Sequence, residues 1–385
     1  MTPDDDRADE PDRARVELRQ GQLSGDGESR YRLQASIELF PASTGDLHLL
    51  RPGEAGDLVV RQPDRLDRAL IDALARGACT IDELAEACGS ARRVVSEKLD
   101  SLTSAGVLET VGGEPVALPP DLAARFDRQL PYLAGFGDPG ALQLRLREST
   151  VAVLGLGGLG TWALGALAGA GIGRFVLVDD DVVEPSNLNR QVLYGAGDVG
   201  LPKADRAAAW LRRFDPDIRV APHRRRIACA DELAAVIDGA ELLVQTADSP
   251  PYGLVRWVDA ACRALRIPYV LGGQRPPILR VGPMIVPGVT ACFACRETLL
   301  RQEFALYDEL SAQRDRSPGR STTLGPASGI AGTLVALEAM RRLLGADAAI
   351  QGRSLLIDMR TLATRWEAWE RRRDCPACHH LGGDT

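Results

Sequence analysis

Six residues, Gly155-Leu156-Gly157-Gly158-Leu159-Gly160, follow the apolar run Val151-Ala152-Val153-Leu154 and read as a turn from strand into helix. Such a turn lets backbone amides approach a phosphate at the helix start. A second apolar run, 175–178, ends at Asp179, in position to accept hydrogen bonds from a ribose. A nicotinamide dehydrogenase shows the same glycines and the same acid, so the deciding residues lie downstream. Asp179-Asp180-Asp181 is followed by Glu184-Pro185-Ser186-Asn187-Leu188-Asn189-Arg190-Gln191 and then by Gly200-Leu201-Pro202-Lys203. Arg and Lys gathered there suit an enzyme that must neutralise a triphosphate. A further run, 242–245, leads to Asp248, which reads either as a magnesium ligand or as the N-cap of the next helix. Lys203 taken by itself also reads as an ordinary surface lysine.

A second constellation is Cys292-Phe293-Ala294-Cys295 with Cys375-Pro376-Ala377-Cys378. Two such pairs suit a closed tetrahedral zinc site of four thiolates with a structural role, because each knuckle presents two sulfurs from one turn. Redox-active pairs are the weaker reading, since no thioredoxin-like context surrounds either. His379 and His380 are expected in solvent, and Cys79, Cys88, Cys229 and Cys262 as small core residues.

The elements that position these residues divide the chain into three parts. Residues 1–29 carry no sustained apolar period and read as a disordered acidic tail. Residues 30–118 begin with β-type runs over 31–40 and 47–60, separated by a turn-forming string at 41–46. Three helical patterns follow: one over about 64–75, one opened by the capping box Thr80-Ile81-Asp82-Glu83, and one from Ser90 with Val94, Val95, Leu99 and Leu102 inward. Gly106-Val107-Leu108-Glu109 then reads as entry to a wing strand, which makes this part a small α+β winged helix. Residues 119–385, after Pro119-Pro120, form a larger α/β domain on a Rossmann-like plan.

Composition removes several function classes. With 385 residues and 45% hydrophobic content the chain can bury a large core. Its net charge of −7 provides no global field for nucleic acid or an anionic membrane. Arg92, Arg93 and Lys98 on the third helix keep a DNA-binding reading open, but it is disfavoured in so acidic a chain. The start, Met1-Thr2-Pro3-Asp4-Asp5-Asp6, lacks the apolar core of a secretory signal, so a cytoplasmic location is expected, where eight cysteines form no disulfide framework. The uncharged run 151–173 is long enough to span a bilayer, yet its eight glycines favour a buried strand, turn and helix.

Taken with the downstream residues, the glycine loop makes residues 121–380 resemble the E1-like adenylyltransferases, the family of the sulfur-carrier-activating enzymes of molybdopterin and thiamine biosynthesis. Arg125-Phe126-Asp127-Arg128-Gln129 matches the family's Arg-Gln element. The resemblance implies that Arg128 reaches into the ATP site of a second copy, so a homodimer is expected. It also implies that Gly155, Gly157, Gly158, Gly160, Asp179 and Asp181 take part in ATP binding, with Asp179 on the ribose. Asn187, Arg190, Gln191 and Lys203 would surround the phosphates, Asp248 would bind Mg2+, and the four knuckle cysteines would hold Zn2+. The expected reaction is attack of a substrate carboxylate on the α-phosphorus of ATP, giving an acyl adenylate and pyrophosphate.

One departure from the family concerns the crossover segment 301–324, which contains no cysteine and therefore no thiolate for thioester or persulfide chemistry. Arg314-Asp315-Arg316-Ser317-Pro318-Gly319-Arg320 reads instead as a polar loop closing over substrate. The order of elements over residues 31–111 resembles the peptide-recognition element of enzymes that modify ribosomally made peptides, as in the microcin C-type adenylyltransferases. A leader peptide adding a strand there is one expectation. A ubiquitin-like sulfur carrier ending in Gly-Gly is the alternative substrate, and a non-catalytic leader-binding scaffold is the alternative of another class.

Overall fold

The computed structural model describes residues 29–34, 36–50, 58–111, 116–317 and 322–379. The acidic tail, apart from Ser29, together with Pro318, Gly319, Arg320 and His380, therefore lies outside the described residues. The chain divides into two compact units, 1–143 and 144–385.

In the first unit, β1 (Arg30–Leu33) is the centre of an antiparallel sheet, and β2 (Glu38–Pro41), β3 (Leu47–Leu50) and β4 (Leu58–Val60) form a separate antiparallel meander. Then come α1 (Arg65–Arg76), β5 (Cys79–Thr80), α2 (Ile81–Cys88), α3 (Arg92–Ser104) and β6 (Leu108–Val111), with β5 and β6 pairing either edge of β1. Local chemistry explains the boundaries. Asp64 and Thr80 each close a capping box, with Asp67 and Glu83 respectively, and a side-chain cap of this kind contributes about 1 kcal/mol. Gly89 ends α2 in the left-handed region with φ of 61°. The sequence expectation started α3 at Ser90, but Ala91 is the N-cap, with extended backbone and no side-chain cap. Leu49, Leu70, Leu74, Leu84, Val95 and Leu99 make one buried core. Arg92 pairs with Asp82, Arg93 with Glu97 and Lys98 with Asp67, so each basic group of α3 faces a carboxylate.

After β6 the chain forms α4 (Pro120–Arg125), α5 (Leu130–Leu133) and α6 (Pro139–Glu148). By contacts, the first unit extends past Pro119-Pro120 to residue 143, inside α6. The reason is that Arg32 of β1 donates to the carbonyls of Ala134 and Gly137, and the Val116 amide donates to Asp138, which fastens this stretch to the first unit.

The second unit is built on an eight-stranded sheet. Its strands are β7 (Thr150–Leu154), β8 (Arg174–Val178), β9 (Arg219–His223), β10 (Leu242–Gln245), β11 (Tyr269–Arg275), β12 (Ile278–Ile285), β13 (Arg353–Asp358) and β14 (Thr364–Ala368). The spatial order is β14-β13-β12-β11-β10-β7-β8-β9, parallel from β9 through β11 and antiparallel beyond. The helices are α7 (Gly158–Ala170), α8 (Lys203–Phe214), α9 (Ala230–Ile237), α10 (Gly253–Leu265), α11 (Phe293–Glu303), α12 (Tyr307–Arg316) and α13 (Gly325–Leu343). The uncharged run 151–173 resolves into β7, the glycine turn and α7, and no helix among the described residues is long and apolar enough to cross a membrane. Because the chain runs β7, β8, β9 to one side and resumes with β10 on the other, the strand order reverses beside β7. In open α/β sheets that reversal opens a crevice at the carboxyl ends of the strands, where ligands bind.

Candidate functional site

The glycine turn sits in this crevice. Gly155 leaves β7 with φ of +93°, in the left-handed region, and a Cβ there would lie 2.4 Å from the Ala247 amide. A Cβ on Gly160 would lie 1.9 Å from the Gly155 carbonyl oxygen, so the first turn of α7 folds back directly onto the loop. Gly157 differs: a Cβ there would meet nothing nearer than Gln191 Nε2 at 3.9 Å, and its face of the loop is open. Gly158 starts α7 and abuts Ser328 Oγ and the Arg190 side chain.

Asp179, at the end of β8, accepts from the Leu156 amide at 2.6 Å and from the Asp181 amide at 2.9 Å. Burial raises its carboxyl above the usual range, while Lys203 and the two amides pull the other way. Lys203 opens α8, is buried to 5% exposure, and donates to Asp181 Oδ2 at 2.7 Å, which is not the behaviour of a surface lysine. The intervening loop is closed by the Val182–Pro202 bridge. Asn187 is used by that loop: its Oδ1 accepts from the Glu184 amide at 3.1 Å. Arg190 donates to the Ser186 carbonyl at 2.6 Å and to Asn189 Oδ1 at 3.1 Å.

Gln191 is buried, and its Oε1 has no hydrogen-bond partner among the described residues. An unpaired buried acceptor costs about 1–3 kcal/mol, and a donor from a bound ligand removes that cost. The open face at Gly157 and the nearby cations fit the phosphates of a nucleotide, whereas the orphan acceptor fits a donor elsewhere on it, such as a ribose hydroxyl or a base amino group. Asp248 is exposed just past β10, and the N-cap of the next helix is Tyr252, so the capping alternative for Asp248 does not hold. Arg128 lies in the first unit, fully exposed beside Asp127.

Two features of the site had no sequence signal. Tyr194 donates to the Leu156 carbonyl at 3.0 Å and approaches the Lys203 carbonyl at 3.4 Å, pinning the glycine turn to the start of α8, with its phenol pushed up by burial. Beside Gly158, Gln274 Nε2 donates to Ser328 Oγ at 3.1 Å and also to Thr323, whose hydroxyl is 3.0 Å from that of Ser328. These contacts join β11 to the start of α13 across the fold, and no local spacing encodes them.

The crossover segment corrects an expectation. Arg314, Asp315 and Arg316 are helical, in α12, rather than in a loop. Asp315 accepts from the Tyr252 amide at 2.8 Å and the Gly253 amide at 3.0 Å, and these tertiary bonds hold the helix in place.

The four knuckle cysteines meet as a buried cluster, with sulfur separations of 3.7 Å (Cys292–Cys295 and Cys292–Cys375) and 3.5 Å (Cys295–Cys378). Tetrahedral zinc with Zn–S near 2.3 Å requires sulfur edges of about 3.8 Å, so the donor set fits zinc. The hydrogen bond from Cys292 draws the Cys295 thiol below the usual thiol range. Behind the cluster, buried Asp259 accepts from Tyr269 Oη, the Phe293 amide and Arg263 Nε, and Arg263 donates to the Ala377 carbonyl, so one strut serves both knuckles. His379 is exposed. Cys262 is buried and Cys79 and Cys88 are half-buried, but Cys229 is exposed at the N-cap of α9, not a core residue.

A model of the ThiF family matches residues 126–378. The chain belongs to the ThiF family of E1-like adenylyltransferases. Among ThiF-type relatives, the chain is 35% identical over 251 residues to the SAMP-activating enzyme E1 of Haloferax volcanii, covering 63% of this chain and 85% of that protein. It is 32% identical over 248 residues to the sulfur carrier protein ThiS adenylyltransferase of Escherichia coli, covering 63% of this chain and 90% of the other. The fold is shared with E. coli MccB: the structure with ATP superposes with a TM-score of 0.70 at 22% identity, covering 91% of this chain and 99% of MccB.

Proposed function

We propose that this chain adenylates the carboxylate of a ribosomally made peptide, whose leader is taken up by the first unit. One observation carries the choice of substrate. The carrier-activating relatives align with 63–66% of the chain, whereas the MccB fold extends over 91% of it and so includes most of the first unit. MccB has been solved with MccA, and the meander β2-β3-β4 of this chain offers edge strands to which an extended peptide can add by backbone hydrogen bonds. In this reading residues 30–118 act as a winged-helix peptide-recognition domain and residues 119–385 as the adenylation domain.

The peptide carboxylate, ionised at neutral pH, attacks the α-phosphorus of ATP and pyrophosphate leaves, so no general base is required. Gly155 to Gly160 present amides to the phosphates, Asp179 holds the ribose, and Asp181 orients Lys203. Arg190 and Lys203, with Arg128 from a second copy of the chain, counter the charge that spreads over the phosphates. Gln191 and Asn187 border the same pocket. Magnesium bound at Asp248 would supply further neutralisation, and zinc at the four cysteines a structural cross-link.

A second reading, activation of a small carrier protein at its C-terminal glycine, is favoured by the 30–35% identity to enzymes named for that work. Pyrophosphate exchange with ATP, magnesium and either a candidate precursor peptide or a Gly-Gly-ending carrier separates the readings. Exchange with peptide, abolished by Lys203→Ala, is the expected result, and exchange with carrier alone would move the assignment. Peptide binding without exchange, unaffected by Lys203→Ala, would make the protein a leader-binding scaffold. Mixing inactive Arg128→Ala with inactive Lys203→Ala should restore activity if sites are composite, since roughly a quarter of the sites are then intact.

A further inference from the structure

The crossover helix α12 is fastened to the start of α10 by a network that none of the proposed chemical steps uses. Asp315 Oδ1 accepts from the amides of Tyr252 and Gly253, at 2.8 and 3.1 Å, and Oδ2 approaches the Gly253 amide at 3.0 Å. Tyr252, the N-cap of α10, makes no side-chain cap of its own, so Asp315 satisfies these amides from another element. One turn on, Arg256 binds buried Glu297 at 2.8 Å, Ser311 Oγ at 3.2 Å and Asp315 at 3.4 Å. Tyr307 donates to the same Glu297 at 2.9 Å, and Arg314 donates to Tyr252 Oη at 3.1 Å.

Only Ser249, Pro250 and Pro251 separate Tyr252 from Asp248, and the Leu254 amide is bonded to the Pro250 carbonyl at 3.0 Å. Two prolines leave this link little torsional freedom. Fixing the amides of Tyr252 and Gly253 therefore fixes where Asp248 stands beside the glycine turn.

We propose that Asp315 is a positioning residue for Asp248, and that the crossover segment, which lacks a cysteine, serves here as a strut that sets the divalent-cation site. The inference rests on Asp248 being a metal ligand. The test is ATP binding to the full-length protein by calorimetry, with Mn2+ and without added divalent cation, no chelator being present so that the four-cysteine cluster is left undisturbed, read as the ratio of the two dissociation constants. Asp248→Asn should bring this ratio near one. If it leaves the ratio unchanged, the metal-ligand reading itself fails, and the proposal with it. Asp315→Ala should cut the ratio about tenfold, the scale seen when a residue behind a metal ligand is lost, with the value measured without divalent cation unchanged. Asp315→Asn keeps the accepting oxygen and should restore the ratio. Should Asp315→Ala fail to fold, Arg314→Ala decides: a two- to threefold drop in the ratio, on the order of one lost hydrogen bond, supports the strut, and no drop overturns it. A wild-type ratio in Asp315→Ala, or equal losses with and without Mn2+, also overturns it.

Discussion

Removing the metal from the four-cysteine cluster should destabilise the second unit by an amount set mainly by chain geometry. The contacts Cys292–Cys375 and Cys295–Cys378 each span 83 residues. Closing a loop of that length removes denatured-state entropy worth about 4.5 kcal/mol at 25 °C on the chain-entropy model. Metal clips act by the same closure. For a unit of this size that loss corresponds to a fall in melting temperature of roughly 10 °C. The measurement is thermal unfolding with and without a chelator, alongside zinc quantification and thiol titration of the native protein. One zinc per chain is expected, with Cys292, Cys295, Cys375 and Cys378 protected from reagent until it is withdrawn. Cys375→Ser should produce the same fall, and the chelator should add nothing to it, because both remove one cross-link. Cys229→Ser, at an exposed site, is the control and should change nothing. Coincident melting curves with and without chelator, in protein shown to have contained zinc, would refute the cross-link account.

Two further outcomes follow from the nucleotide crevice. Gly160→Ala places a Cβ 1.9 Å from the Gly155 carbonyl oxygen and 2.8 Å from Thr246 Oγ1, so it should cost about 1–3 kcal/mol and weaken ATP binding, both read by melting with added nucleotide. Gly169→Ala, in the same helix with nothing within 4 Å, should stabilise by about 0.5–1 kcal/mol, and equal effects would discredit the packing argument. Burial raises the Asp179 carboxyl above 3.8, so its contribution to stability is full below pH 3.8 and is lost as pH rises through the raised value. The melting temperature of Asp179→Asn relative to wild type should therefore climb from acid to neutral pH while ATP affinity falls, and a flat difference across pH would contradict the assignment.

The parts of this protein legible in the sequence are those set by local periodicity and short-range spacing. The capping boxes at Asp64 and Thr80 mark helix starts because their donors and acceptors lie three residues apart. The alternation of apolar strand, glycine turn and helix over 151–173 is likewise local, as is the pairing of cysteines within each knuckle. Residue order also sufficed to suggest the family, because Asp179, Arg190 and Lys203 follow the glycine loop in a fixed sequence.

What the sequence left undecided depends on partners distant along the chain. Arg314 to Arg316 carry no apolar signal, and their helix is held by amides of Tyr252 and Gly253 some sixty residues earlier. That the stretch up to residue 143 clusters with the first unit depends on Arg32 binding carbonyls a hundred residues downstream. Lys203 could be told from a surface lysine only once Asp181 and the closed loop enclosed it, and Tyr194 and the Gln274, Thr323 and Ser328 cluster gained meaning only when β11 and α13 met the glycine turn. Burial and hydrogen-bond satisfaction are properties of the assembled chain, so these assignments waited on tertiary structure.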